Sequence, residues 1–235
     1  MALPKLDVTT FKVTLPSNEQ KILCRPFLVK EEKILLIAKE GKDDGESVHA
    51  LRQVIGNCIL DDGVDISKLP LIDIEYLLLK IRAQSMGSII TTTYRHGDCK
   101  KPTEVDVDLD KVKVVINPKN ETKLQITKDI GVVMKYPTID LMTDLSEAAK
   151  DNTKVFDLLL KCIDNVYDEE NVYSSSDYTQ DELNEFVMGM TKKQFEKIEE
   201  FFTTLPKLQQ EINFKCVECD YTEKIVLEGL ASFFD

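Results

Sequence analysis

Two stretches far apart in the chain constrain its fold most: Tyr94-Arg-His-Gly-Asp-Cys99 and Phe214-Lys-Cys-Val-Glu-Cys219. In each, an alternating, strand-like run enters a turn bounded by two metal-capable residues, His96 and Cys99 in the first, Cys216 and Cys219 in the second. A further alternating run then follows. The offset that sets His96 on Cys216 also sets Cys99 on Cys219, Val105 on Ile225, Val107 on Leu227 and Asp108 on Glu228. Two copies of one hairpin are expected.

Two residues between ligands let a tight turn aim both side chains at one ion, and structural zinc takes four Cys and His ligands, often as two such pairs. The pattern therefore gives His96, Cys99, Cys216 and Cys219 as a closed Cys3His site for structural zinc. Cys-x2-Cys is the common knuckle, which makes the second pair the stronger half. The plainer alternatives are a hairpin pair that holds no metal, or a second pair of surface thiols alone. A redox role for Cys216 and Cys219 is disfavoured, because such a motif opens a helix and here another strand-like run follows.

Charge bears on what such hairpins bind. Zinc hairpins invite a nucleic-acid reading, but a net charge of −12 opposes a phosphate-backbone partner, whose affinity rests on clustered Lys and Arg. At 235 residues with 43% hydrophobic residues, the chain can bury a real core. No apolar run approaches the roughly 18 residues that span a membrane, and Met1-Ala-Leu-Pro-Lys lacks the apolar core of a signal peptide, so the protein is expected to stay in the cytoplasm where it is made. Six cysteines in a chain this long, with Cys24, Cys58 and Cys162 alone on apolar backgrounds, fit reduced core thiols rather than a disulfide framework.

In chain order, residues 7–15 and 21–26 form an N-terminal β-hairpin around Pro16-Ser-Asn-Glu, with Pro26 favouring an edge position. Helical patterns follow over residues 30–40, then from a cap at Ser47 with Val48, Leu51, Val54, Ile55 and Cys58 on one stripe, and then from about Leu71 or Asp73 to Ser85, ended by Gly87. Asp61-Asp-Gly-Val-Asp is a polar turn, since it lacks the acidic series and closing Glu of a calcium loop. Residues 88–95 and 104–109 make the first knuckle hairpin. Strands within 111–136 are expected to share its sheet. Helices are expected over Ile139–Leu145 and Val155–Val166, a surface loop over Tyr167–Tyr178, and helices capped at Thr179 or Asp181 and at Thr191. Phe195, Ile198, Phe201 and Phe202 sit at helical spacing and fit either a core face or a partner face. The apolar ending Leu230-Ala-Ser-Phe-Phe234 either packs back on the fold or docks on a partner, and Leu230, Phe233 and Phe234 are its candidate partner-binding residues.

Catalysis finds no foothold. The chain has no Gly-x-Ser-x-Gly elbow, Walker loop, dinucleotide fingerprint or His-Glu-x-x-His, and a fully ligated zinc leaves no position for water. The reading is therefore not an enzyme.

Several segments carry a resemblance. Ala2-Leu-Pro-Lys-Leu6, Cys24-Arg-Pro-Phe-Leu-Val-Lys-Glu-Glu-Lys-Ile-Leu-Leu36, Leu69-Pro-Leu-Ile-Asp-Ile-Glu-Tyr-Leu-Leu-Leu-Lys-Ile-Arg-Ala83 and the ending Phe214-Lys-Cys-Val-Glu-Cys219 resemble the baseplate hub proteins of T-even-like tailed bacteriophages, known as hub subunits or hub assembly catalysts. Arg25-Pro-Phe-Leu-Val-Lys-Glu-Glu-Lys33 is the most specific segment, and the acidic helical middle the least. The resemblance implies a morphogenesis protein made in the host cytoplasm and bound to phage hub proteins, with a possible place in the virion. It brings no catalytic residues and no metal site.

The expected fold is α+β: a small antiparallel β part with two zinc-ribbon-like knuckle hairpins plus helical regions. Residues 1–87 hold the N-terminal hairpin and helices, 88–137 the first knuckle hairpin and sheet, 138–207 a helical insertion, and 208–235 the second knuckle and apolar C-terminus. The expected function is non-enzymatic protein–protein interaction in assembly of the tail baseplate central hub, as chaperone or minor subunit, with structural zinc as cofactor and neither nucleic acid nor membrane as partner. The sequence sets no oligomeric state. The rival reading is a zinc-ribbon nucleic-acid-binding or transcription accessory protein.

Overall fold

A computed structural model describes residues 6–40, 44–97, 100–141, 156, 158–219 and 221–233. In chain order the elements are β1 (Phe11–Thr14), β2 (Lys21–Cys24), α1 (Val29–Glu40), α2 (Asp44–Cys58), α3 (Leu71–Met86), β3 (Ile89–Tyr94), β4 (Thr103–Asp108) and β5 (Lys113–Val115). There follow β6 (Lys123–Gln125), β7 (Gly131–Met134), β8 (Ile163–Tyr167), β9 (Val172–Ser174), α4 (Gln180–Met188), α5 (Lys192–Thr203), β10 (Lys207–Lys215) and β11 (Thr222–Glu228). Every strand pair among the described residues is antiparallel, so the fold is α+β. The described residues divide into two compact units, one drawn from 1–66, 72–115 and 207–235, the other from 67–71 and 116–206.

In the first unit, β1 and β2 pair from Phe11↔Cys24 to Thr14↔Lys21. The far edge of β2 is closed by the chain leaving α2: Arg25 N–H donates to the Cys58 carbonyl at 2.9 Å, and Leu60 N–H to the Leu23 carbonyl at 2.8 Å. α2 begins at Asp44, which places Ser47 inside its first turn rather than at the cap. At the start of α1, Glu31 accepts from Leu28 N–H and from both terminal nitrogens of Arg25, at 2.9 and 3.2 Å. Glu31 is fully buried and Arg25 nearly so. Two parallel N–H···O bonds plus a backbone donor are what a buried carboxylate needs to offset its lost hydration.

α3 is the central helix of this unit. Ile74, Leu77, Leu78 and Ile81 are buried as their spacing predicts, and Ile72, Leu79 and Ala83 on the other side are buried too. A helix apolar on more than one face must be covered on more than one face. Ile72, Leu79 and Ala83 pack in one cluster with Val107 and Leu109, with Leu208 and Ile212 of β10, and with Phe233. Asp73 on the same helix is fully buried, and it accepts from the Ser17 N–H at 3.0 Å and from the Ser17 hydroxyl. The β1–β2 turn is thereby fastened to α3. Gly87, at φ 93°, ends the helix in the left-handed conformation.

The strands that follow do not share one sheet. β3 and β4 pair with each other, β5 joins the edge of β10 in the order β11-β10-β5, and β6, β7, β8 and β9 form a separate four-stranded sheet. The expectation that strands within 111–136 extend the first hairpin's sheet is therefore corrected. Period-2 patterning marks a strand but carries no information about its partner.

In the second unit, Ile126, Val132, Met134, Leu158, Leu160, Cys162, Ile163, Val187, Ile198 and Phe201 share a core, with Phe195 and Phe202 packed against it. The aromatic stripe of α5 is thus a core face. α4 is capped by Thr179 in a reciprocal box with Glu182, and α5 by Thr191 with Gln194. Asn120, from the turn after β5, donates to the Phe201 carbonyl and Thr204 hydroxyl and accepts from Tyr136, which ties that turn to the end of α5. Residues 139–141 and 158–160 are helical, while Met142 and Leu145 of the first expected helix lie outside the described residues.

Two expectations fail here. The helix drawn through Val166 stops short, and residues 163–167 are β8, with Val132↔Val166 and Gly131↔Tyr167 in register. The segment expected as a surface loop supplies β9, through Val166↔Tyr173 and Tyr167↔Val172. A short apolar run fits a buried strand as well as a helix, and here the edge of β7 decides. The Tyr167 ring rests on Gly131 in this pairing, where a Cβ would lie 2.1 Å from it.

Two measurements test this account. Arg25→Ala strands a buried carboxylate and should cost about 3–5 kcal/mol in urea unfolding. Burial pushes the Glu75 carboxyl on α3 from 4.5 up to about 7, so the folded chain holds that proton more tightly than the unfolded chain, and stability falls as pH rises through this window. Glu75→Gln should match the parent below pH 4.5 and exceed it at pH 8 by about 2 kcal/mol, less than the full shift because the side chain is only partly buried.

Candidate metal centre

The offset seen in the sequence is also present in the strand registers. It carries Tyr94↔Thr103 onto Phe214↔Glu223, Thr92↔Val105 onto Ile212↔Ile225, and Ile89↔Asp108 onto Gln209↔Glu228. The β3–β4 and β10–β11 hairpins are thus two copies of one ladder. Their turn ends meet.

His96 and Cys216, the equivalent first residues of the two turns, are both buried, at 5% and 1% exposure, while Cys219 lies on the exposed turn. His96 Nε2 and Cys219 Sγ are 3.3 Å apart. The ligand atoms of His96, Cys216 and Cys219 all lie within 4.8 Å of one another. Cys99, the remaining residue of the expected set, lies outside the described residues. The structure therefore brings together three of the four expected ligands from segments remote in sequence.

The backbone shapes both turns. Lys100, at φ 53°, donates its N–H to the His96 carbonyl at 3.2 Å, and Cys216 N–H donates to the Tyr221 carbonyl at 2.8 Å. Aromatic rings pack around these side chains: Tyr221 stacks on the His96 imidazole at 4.6 Å, and Tyr94 meets its equivalent Phe214 edge to face at 4.8 Å. The Thr103 hydroxyl approaches Cys216 Sγ at 4.0 Å. Glu223 spans the two hairpins: a hydrogen bond from Tyr94 raises that phenol above its ordinary value, and Tyr221 donates to the same carboxylate at 3.2 Å. Sequence reasoning missed Tyr94, Phe214, Tyr221 and Glu223. The signal available was that all four flank the turns at the strand ends.

The other cysteines differ. Burial pushes Cys24 up to about 12 and Cys58 and Cys162 up to about 11, which keeps them as protonated core thiols.

Of the expected partner-binding residues, Phe233 needs correction. Phe233 is 2% exposed and belongs to the first unit's core, and Leu230 is partly buried against that core. Both sit in a 3-10 turn (Leu230–Phe233) anchored by Gly229 N–H donating to the Leu208 carbonyl at 2.9 Å. Phe234 lies outside the described residues. Phe233 packs back on the fold because the cluster of α3 and β10 offers a dry site for its ring. It is no open partner surface.

Within the first unit the two hairpins are braced against each other at their turn ends, and no helix among the described residues is long and apolar enough to cross a membrane. The chain belongs to a family described as T4 bacteriophage base plate protein, whose model matches residues 8–235. It is 21% identical over 225 residues to the baseplate hub assembly protein gp26 of Enterobacteria phage T4, covering 96% of this chain and 98% of that one. No solved structure matches it. The protein thus has a structural or assembly role in the phage baseplate. The rival nucleic-acid or transcription reading gains no support from these relatives, and the net charge opposes it.

Phe233→Ala should destabilise the protein by about 3–5 kcal/mol in denaturant unfolding, as loss of a buried aromatic does. A shift below about 0.5 kcal/mol would return Phe233 to the surface.

Proposed function

We propose that this protein acts in assembly of the baseplate's central hub, by protein–protein contact and without catalysis, as a chaperone or minor hub subunit. The observation that carries the reading is the family match along nearly the whole chain, joined to a hub assembly relative that aligns over almost its full length. Its partners are then hub proteins of the same phage, and its places the host cytoplasm during assembly and the virion tail if it remains bound. The finer architecture that goes with this role is a pair of zinc-ribbon-like knuckles bracing the turn ends of the two hairpins.

Surface chemistry supports contact-based action. Val29, Leu36 and Ile37 of α1 and Met86 at the end of α3 are exposed, and Val29 and Met86 border a cleft of about 440 Å³ in the first unit. Exposed apolar side chains on an acidic protein give affinity for a partner while net charge limits self-association.

Disrupting the gene should leave peripheral wedge complexes intact and prevent the central hub from forming, as read by sedimentation of baseplate intermediates from infected cells. Normal hubs and normal plaque numbers from the disrupted phage would refute the role.

A further inference from the structure

We propose that His96 Nε2 and the thiolates of Cys216 and Cys219 bind one structural Zn²⁺ that clamps the β3–β4 hairpin to the β10–β11 hairpin. This goes beyond the hub role and is independent of it. The three ligand atoms lie within 4.8 Å of one another, and the His96–Cys219 contact is 3.3 Å. With Zn–S near 2.3 Å and Zn–N near 2.0–2.1 Å, tetrahedral ligands stand about 3.5 Å apart for N to S and about 3.8 Å for S to S. The observed cluster closes on an ion with side-chain shifts of about an ångström, which rotation at the exposed Cys219 turn supplies.

The ligand chemistry selects the metal. One imidazole and two thiolates, with no carboxylate among them, suit zinc and exclude the hard cations that need oxygen. The surroundings suit a structural ion: His96 and Cys216 are buried, and Tyr221 covers the imidazole face. The repeat supplies the independent argument. His96 and Cys216 occupy equivalent positions in two hairpins of identical register, and both turn ends deliver a ligand to the same point. The same offset sets Cys99 on Cys219 in the sequence. Cys99 lies outside the described residues, and the three placed ligands carry the proposal.

On binding, each ligating cysteine releases one proton to solvent and the histidine binds as neutral imidazole, so zinc uptake is linked to pH. No oxidant or reductant takes part. The ion stabilises the fold by joining hairpins that are separated in the chain by the whole of the second unit's 116–206 segment.

The test uses the full-length chain, purified reduced and without chelator. Elemental analysis should find about one zinc per chain. Cys219→Ser is the diagnostic variant, because its exposed turn position lets the chain fold. It should lose the zinc and lower the thermal midpoint, and Cys162→Ser should keep the zinc. Should Cys216→Ser or His96→Ala fail to fold, the parent protein answers instead. Stripped with a chelator and titrated with Co²⁺, it should show thiolate-to-cobalt charge transfer and the intense visible bands of a tetrahedral site, abolished in Cys219→Ser. Absence of metal from the reduced protein together with no cobalt spectrum overturns the proposal, as does full zinc retention by Cys219→Ser, or a Cys216–Cys219 disulfide in place of metal.

Discussion

The meeting of two hairpin ends is the contact on which the first unit depends. β4 follows α3 closely in sequence, whereas β10 and β11 return only after the whole 116–206 segment. Joining them costs the entropy of closing a long loop, a cost that grows only logarithmically with length and that local contacts cannot offset. The offset comes from burial at the junction: Phe214 and Cys216 at 1% exposure, the Tyr94–Phe214 and His96–Tyr221 ring contacts, and Glu223 bonded to a phenol from each hairpin. The same return brings β10 to β5 and Phe233 to the face of α3.

That arrangement explains why the unit can be assembled from three chain segments. α3 presents apolar residues on more than one side, and one of these sides packs with β4, β10 and Phe233, while its Asp73 and Ser85 accept from Ser17 and Phe27 of the N-terminal elements. Polar groups at the seams are satisfied in kind. Asp73 holds the first hairpin's turn through Ser17, and Glu31 and Arg25 neutralise each other at the start of α1. Buried charges of this sort add little net stability when paired, but each strongly penalises any arrangement that separates the partners.

The relation of fold to role is indirect. A baseplate structural or assembly protein must present surface to other proteins, and the chain keeps apolar side chains exposed on α1 while drawing its C-terminal aromatic Phe233 inside. The terminal segment looked adhesive because sequence alone reports its hydrophobicity and not the cluster that receives it. The α5 stripe is the parallel case, with Ile198 and Phe201 buried in the second unit.

Local chemistry was legible wherever it is decided locally. Thr179 and Thr191 with their third-position Glu182 and Gln194 determine two helix starts, Gly87 a helix end, and the spacing of Ile74, Leu77, Leu78 and Ile81 an inward face. The repeat of His96 and Cys216 was likewise readable, because copied hairpins preserve offset in sequence and register alike. Pairing was not. Whether β5 would join β3 or β10, and whether Ile163–Tyr167 would lie in a helix or beside β7, turned on which strand edge stood open nearby; strand patterning specifies a face but no neighbour. The sequence by itself determined the caps at Thr179 and Thr191, the strand-forming runs and the chemical identity of three converging metal-capable side chains. Only the tertiary structure decided which edges met, that Phe233 is core, and that Tyr94, Phe214, Tyr221 and Glu223 enclose the junction, because those outcomes depend on burial shared between segments no local pattern connects.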